Sequence, residues 1–259
     1  MIDVNECHVW WARPRPVLDT ERELLSADER TRMMRYRRQE DRSRFLTGRV
    51  LLRVVVGGYL GVPPASVGLD ATCRHCGGPH GKPRLLTPAS RLRFSLSHSG
   101  DLVALAVTAG VSVGIDVEKI GALPPDPALV AAALAESERL VLDSLPEAEQ
   151  VRAFTTYWTR KEAVLKADGK GLTAGPDCLV VSAPAEPPQV LQPATSPPVL
   201  GPVRLYDLHA DPQYGASVAL LTATTHVVRE RWWSDHEIDT GARETGNRTH
   251  RRALSSRDP

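Results

Sequence analysis

Three consecutive strand-like segments lie near the middle of this chain, with helical patterns on both sides. Residues 91–96 alternate with period two, 102–107 form a nearly continuous apolar run, and 111–118 alternate again. Upstream, residues 18–60 read as helical. Leu24, Leu25, Met33 and Met34 sit among charges there. From Phe45 through Leu46, Val50, Leu51, Val54 and Val55 to Tyr59, apolar residues recur at helical spacing, until Val62-Pro63-Pro64 stops the run. Ser26-Ala27-Asp28-Glu29 has the form of a capping box. Downstream, helical patterns cover about 127–145 and 147–168, and strand-like segments return at 178–181, 203–208 and 217–222. Helices, strands, helices and strands in that order predict an α+β fold.

Composition narrows the classes. The 259 residues carry 32 Lys+Arg against 31 Asp+Glu, so no whole-chain charge argues for nucleic acid or a membrane. With 42% hydrophobic and 24% charged residues the chain is ordinary globular material, which excludes collagen, coiled coil and global disorder. Aromatics are sparse, so the core must lean on Leu, Val and Ala. Residues 1–6 lack the start of a signal peptide, and the longest apolar stretch, 50–62, contains Arg53 and falls short of the roughly 20 residues a bilayer demands. Four cysteines do not make a disulfide scaffold in a chain this long. A cytoplasmic protein is expected, with a Pro-rich surface loop at 182–202 and a disordered polar tail at 234–259.

Three segments carry chemistry. In Gly114-Ile115-Asp116-Val117-Glu118, strand alternation puts Val113, Ile115 and Val117 on one face and Asp116 and Glu118 together on the other. Two carboxylates so close suit a hard divalent cation; the plain alternative is a solvated strand with two surface acids. In the helical pattern 147–168, Trp158, Glu162 and Lys166 form one i,i+4 row beside the apolar stripe of Phe154, Tyr157, Val164 and Leu165. The alternative there is a surface Glu–Lys pair. Phe94-Ser95-Leu96-Ser97-His98-Ser99-Gly100 reads as a strand running into a turn whose hydroxyls and imidazole could meet a phosphate, or simply water.

Taken in order, these residues resemble the 4′-phosphopantetheinyl transferases of the larger, monomeric Sfp type. Residues 114–118 match that family's first signature. Trp158-Thr159-Arg160-Lys161-Glu162-Ala163-Val164-Leu165-Lys166-Ala167-Asp168-Gly169-Lys170-Gly171-Leu172 match the second, and Gly81-Lys82-Pro83 and 94–100 match two further blocks. The resemblance implies a pseudo-dimer of two similar α+β halves, 1–110 and 111–233, with coenzyme A in the cleft between them. It implies Mg²⁺-dependent transfer of the 4′-phosphopantetheine arm to a serine of an acyl- or peptidyl-carrier protein, with release of 3′,5′-ADP, in fatty-acid, polyketide or nonribosomal-peptide synthesis. Asp116, Glu118 and Glu162 would hold the metal. Glu162, Lys166 and Asp116 would be catalytic, with Glu162 as base. Arg32, Arg44, Lys82, Pro83, Ser97, His98, Lys161 and Lys166 would contact coenzyme A, although Lys161 in the apolar stripe also permits a structural role. The family has a lysine where Glu29 stands here, so recognition of the 3′-phosphate departs from its pattern, and Arg30 could substitute.

Rival readings have less support. An Arg-rich binding module for nucleic acid would need single-sign charge and would leave the acids without a job. An inactive carrier-binding homologue would not need intact acidic and lysine positions. Cys73-x-x-Cys76, with His75 and His80, lacks a second pair for zinc. Gly169-Lys170-Gly171 follows a helix instead of a strand, so it fails as a dinucleotide motif; no P-loop or G-x-S-x-G is present.

Overall fold

Strand β1 (Glu6–Ala12) opens the chain, where the sequence reading assigned no element. The short helix α1 (Asp19–Arg22) follows, then α2 (Ala27–Arg35), begun by the expected capping box on Ser26, and the long helix α3 (Gln39–Leu60). The brief strands β2 (Leu69–Asp70) and β3 (Arg84–Leu85) pair with each other. The central trio is β4 (Leu92–Ser99), β5 (Leu102–Ala109) and β6 (Val113–Lys119). Helices α4 (Pro127–Ala133), α5 (Glu136–Ser144) and α6 (Glu147–Asp168) come next. The short pair β7 (Val180–Val181) and β8 (Val190–Leu191) and the strands β9 (Arg204–Asp207), β10 (Tyr214–Leu220) and β11 (Val227–Trp232) complete the order. This computed structural model describes residues 2–16, 18–72, 77–78, 81–86, 90–121, 124–169, 175–191 and 201–234. The C-x-x-C loop, residues 170–174 of the second signature, and all of the expected tail except Ser234 lie outside the described residues.

The strands form two principal sheets, ordered β11-β1-β5-β4 and β6-β10-β9. Alternation along the strands builds a helix–sheet–sheet–helix stack. One face of the first sheet, with Trp10, Phe94, Val103, Leu105 and Val107, packs on Leu51, Leu52, Val55 and Val56 of α3. Its other face, with Cys7, Val9, Trp11, Leu102, Ala104 and Ala106, meets Val113, Ile115 and Val117 of β6 and Val218 and Leu220 of β10. The far side of the second sheet packs, through Leu205 and Ala219, on Phe154, Tyr157, Ala163 and Val164 of α6. Strand β5 therefore reads as an unbroken apolar run because both its faces are covered, and residues 102–107 are wholly buried. Burial of each such Leu or Val side chain contributes about 1.5–3 kcal/mol.

Two glycines set the position of α6. Gly169 closes the helix in the left-handed conformation at φ 69°. Gly114 lets the helix lie against β6: a Cβ there would stand 2.0 Å from the Ala163 carbonyl oxygen and 2.3 Å from the Ala167 nitrogen. No helix among the described residues is long and apolar enough to cross a membrane.

Two expectations need adjusting. Strand β11 pairs in parallel with β1, so 227–232 belong to the first sheet, although the reading above placed them with the second half. In the segment 178–181 only Val180 and Val181 are strand, and Cys178 closes a 3₁₀ turn that begins at Pro176.

Candidate active site

The acidic pair on β6 faces helix α6, while its apolar neighbours Val113, Ile115 and Val117 fill the space between the sheets. Asp116 is 2% exposed. One of its oxygens, Oδ1, takes the ammonium of Lys166 at 2.5 Å and the hydroxyl of Ser97 at 2.9 Å. The other, Oδ2, is buried without a hydrogen-bond partner among the described residues. An orphaned buried carboxylate oxygen carries a desolvation cost of roughly 1–3 kcal/mol or more, so it calls for a partner. Glu118 is half-buried, and its Oε2 accepts from Ser99 Oγ at 2.7 Å. Burial raises the Glu118 carboxyl above its ordinary value, opposed by the Ser99 bond; Asp116 and Glu162 push it further up and Lys166 pulls it down. Glu162, one turn before Lys166 on α6, is raised by burial and by Asp116, against Lys166. The row Trp158, Glu162, Lys166 is half-buried along the edge of the stripe, and Phe154 stacks on Trp158 with ring centroids 6.2 Å apart.

The three carboxylates thus feel one another's charge with one ammonium among them. Among the described residues no three His, Cys, Asp or Glu side chains stand converged as a ready-made metal cage. Mg²⁺ does not require one: it ordinarily takes one or two carboxylates and completes its octahedron with waters and substrate phosphate oxygens. Oxygen-only donors, an orphaned Oδ2 and mutually repelling acids fit that ion.

The hydroxyls lie in the strand instead of the turn expected for them, because β4 runs on to Ser99 and the chain turns at Gly100. Ser97 Oγ accepts from the Val117 amide at 3.4 Å and from Lys166 at 3.0 Å while donating to Asp116. A hydroxyl has one proton and two lone pairs, so Ser97 has no donor left for a phosphate. His98, the next residue, is lowered by burial, against a rise from a hydrogen bond to its own backbone, and the cations Lys166, Arg44 and Arg49 lower it further. Arg44 donates to the Gly100 carbonyl at 2.8 Å and pairs with Asp41.

The other sequence-predicted contacts divide. Lys82 Nζ donates to the carbonyls of Val113 at 2.8 Å and Lys166 at 2.6 Å, tying β6 to the end of α6; burial and the nearby Arg84 draw it down to about 8. Lys82 and Pro83 also line a cavity of about 390 Å³ with Arg84, Phe94, Val113 and Gly169. Lys161 does not join the site. It is fully buried, donates to the carbonyls of Ala133 at 2.8 Å and Pro176 at 3.1 Å, and is paired with Glu138. Arg32 is exposed, with its guanidinium 5.7 Å from the Phe45 ring centre.

Arg49 was not singled out from the sequence. It lies 5.2 Å from the centre of the same Phe45 ring, is only 7% exposed, and keeps Nη1 buried without a hydrogen bond among the described residues. Glu29 is occupied by Arg53 at 2.6 Å, Arg49 at 3.3 Å and the Ser26 amide at 3.0 Å, so its charge is already balanced. Arg32, Arg44 and Arg49 form a cationic flank beside the acids, and their neighbour His98 is held toward its neutral form.

Comparison with known proteins adds the family. Residues 112–219 match the family model described as the 4′-phosphopantetheinyl transferase superfamily, and residues 10–110 match the one described as 4′-phosphopantetheinyl transferase, N-terminal. The chain is 36% identical over 188 residues to the 4′-phosphopantetheinyl transferase HetI of Nostoc sp., covering 71% of this chain and 77% of that protein. It is 32% identical to the 4′-phosphopantetheinyl transferase psf-1 of Bacillus pumilus, over 59% of this chain and 61% of that one. With the 4′-phosphopantetheinyl transferase of Bacillus subtilis it shares 29% identity, over 64% of this chain and 70% of that one.

Proposed function

The chain belongs to the 4′-phosphopantetheinyl transferase superfamily, and from that premise we propose that it moves the 4′-phosphopantetheine arm of coenzyme A onto a serine hydroxyl of an acyl- or peptidyl-carrier protein. The reading takes the two sheets with their long helices as two halves and their junction as the active cleft. The observation that carries it is the Asp116–Lys166–Ser97 cluster at the meeting of β4, β6 and α6, with Glu118 and Glu162 beside it.

The carrier serine oxygen attacks the β-phosphorus of coenzyme A. A new O–P bond forms, the bond to the pyrophosphate bridging oxygen breaks, and 3′,5′-ADP leaves with the electron pair. Negative charge grows on the leaving side, so rate comes from positioning and from cations already in place. Lys166 supplies one such charge next to Asp116. Glu162, held above its ordinary value, accepts the serine proton. Asp116, Glu118 and Glu162 would hold Mg²⁺, which when bound adds positive charge against the pyrophosphate oxygens. Arg32, Arg44, Arg49 and His98 suit the 3′-phosphate, and the cavity at Lys82 and Pro83 suits the nucleotide end.

The test is a mass spectrum of an apo carrier protein after incubation with enzyme, Mg²⁺ and coenzyme A. One phosphopantetheine increment per serine is expected. Glu162→Gln should lower the rate by about 10²–10⁴ while binding coenzyme A as the unaltered protein does. No increment on any of a panel of fatty-acid, polyketide and nonribosomal-peptide carriers would refute the activity, and equal loss of binding and transfer would move Glu162 from base to binding group.

A further inference from the structure

Ser95, Ser97 and Ser99 occupy alternate positions on β4, on the face turned toward the second sheet. Their register partners on β5 are Ala106, Ala104 and Leu102, all of the core between the sheets. Polar side chains there have a specific use. Ser95 Oγ accepts the amide of Ile115 at 3.2 Å, Ser97 that of Val117 at 3.4 Å, and Ser99 that of Lys119 at 3.1 Å. The offset is 20 residues every time, so β6 runs parallel to β4 in fixed register. The edge of β6 not paired with β10 would otherwise present a row of unpaired amides. Hydroxyls close it in place of a backbone ladder.

Once a serine has accepted an amide it still has its proton to give. Ser97 gives it to Asp116 Oδ1 and Ser99 to Glu118 Oε2, in each case the residue just before the amide accepted. For Ser95 the corresponding residue is Gly114, which has no side chain to receive it. Taking the metal-binding reading above as given, we infer that Ser97 and Ser99 are positioning residues for the acidic pair. The seam that locks the two sheets together also pins one oxygen of each carboxylate. At Asp116 that leaves Oδ2, buried and without a partner, for a cation. The spacing of the acids then depends on the joint between the sheets and not on the side chains' own rotamers.

The third serine supplies the control. Ser95→Ala loses an amide acceptor in the same seam but touches no carboxylate, so it should lower the melting temperature and leave Mn²⁺ affinity unchanged. Ser99→Thr and Ser99→Val have nearly the same shape, and only the first keeps the hydroxyl. Calorimetric titration of the full chain with Mn²⁺, in the presence of coenzyme A, should show Ser99→Val binding about 10–100-fold more weakly than Ser99→Thr, the range typical for groups that orient a metal ligand. Ser97→Ala should lose affinity likewise. Equal affinity of the Thr and Val variants would overturn the inference. So would a loss in Ser95→Ala as large as that in Ser99→Val, because affinity would then follow seam stability and not carboxylate orientation. If the unaltered protein takes up no Mn²⁺, the metal reading itself fails and this inference with it.

Discussion

Lys161→Met decides whether this residue meets coenzyme A, as the family resemblance implies, or braces the core. Its ammonium donates to the Ala133 and Pro176 carbonyls and is paired with Glu138, which also accepts the amides of Ala135 at 2.8 Å and Val181 at 2.9 Å. That single knot ties α4, α5, α6 and β7. Methionine fills most of the same space but leaves a 2% exposed carboxylate without its counter-charge and takes a donor from two carbonyls, of which Pro176 keeps the Leu179 amide at 3.1 Å. Removing one partner of a buried pair costs about 3–5 kcal/mol. At about 2–4 °C per kcal/mol for a chain of this size, the melting temperature should fall by roughly 6–20 °C. Adding Glu138→Leu removes the stranded charge and should recover part of the loss, though the Ala135 and Val181 amides then lack their acceptor. Measured well below both melting points, the KM for coenzyme A and kcat per folded molecule should match those of the unaltered protein. A Lys161→Met protein that melts normally while its KM for coenzyme A rises tenfold would refute the reasoning.

Gly114→Ala should push α6 off β6, because the added carbon would sit within 2.0–2.3 Å of helix backbone; loss of about 1–3 kcal/mol or more in chemical denaturation is expected, and an unchanged midpoint would contradict that packing. The acids also predict a pH effect in chelator-treated protein. Burial, and next to it the charge of Asp116, hold Glu118 and Glu162 above their ordinary value of 4.5, so the folded state takes up protons before the unfolded chain does. Their ionisation therefore weakens the fold as pH rises through the folded-state values, and the penalty fades below 4.5. Metal-free Glu162→Gln should melt higher than the unaltered protein at neutral pH, with the gap closing toward acid; a lower melting point at neutral pH would reverse the sign.

The central strands were legible because each signals its environment locally. The alternation at 111–118 sorted Val113, Ile115 and Val117 from Asp116 and Glu118, and the apolar run at 102–107 announced a strand covered on both faces. The capping box at Ser26 is local as well. Strand β1 escaped notice for the opposite reason: it lies between β11 and β5, so six of its seven residues are buried and no alternation survives. Strand β11, mostly exposed and reading Val-Val-Arg-Glu-Arg-Trp, is a strand only because β1 supplies partners more than 200 residues away. No local pattern records such a pairing. The buried Arg49 was hidden among the nine arginines of residues 30–53, where the helical pattern gave no reason to choose one.

The second signature mixes two kinds of residue that its spelling does not separate. In Thr159-Arg160-Lys161-Glu162, the first three are wholly buried and satisfied by protein: Thr159 by Ser217, Arg160 by Asp207 and the carbonyls of Ser182, Ala183 and Glu186, and Lys161 by Glu138. Only Glu162 lies at the edge of the site. Helical periodicity makes the distinction: Lys161 falls in register with Phe154, Tyr157 and Val164, whereas Glu162 falls with Trp158 and Lys166. A run of charged residues within a catalytic motif is therefore not by itself a run of ligands. Each must be assigned by the face it occupies, and here one face of α6 braces the second sheet while the adjoining row carries Glu162 and Lys166 toward Asp116.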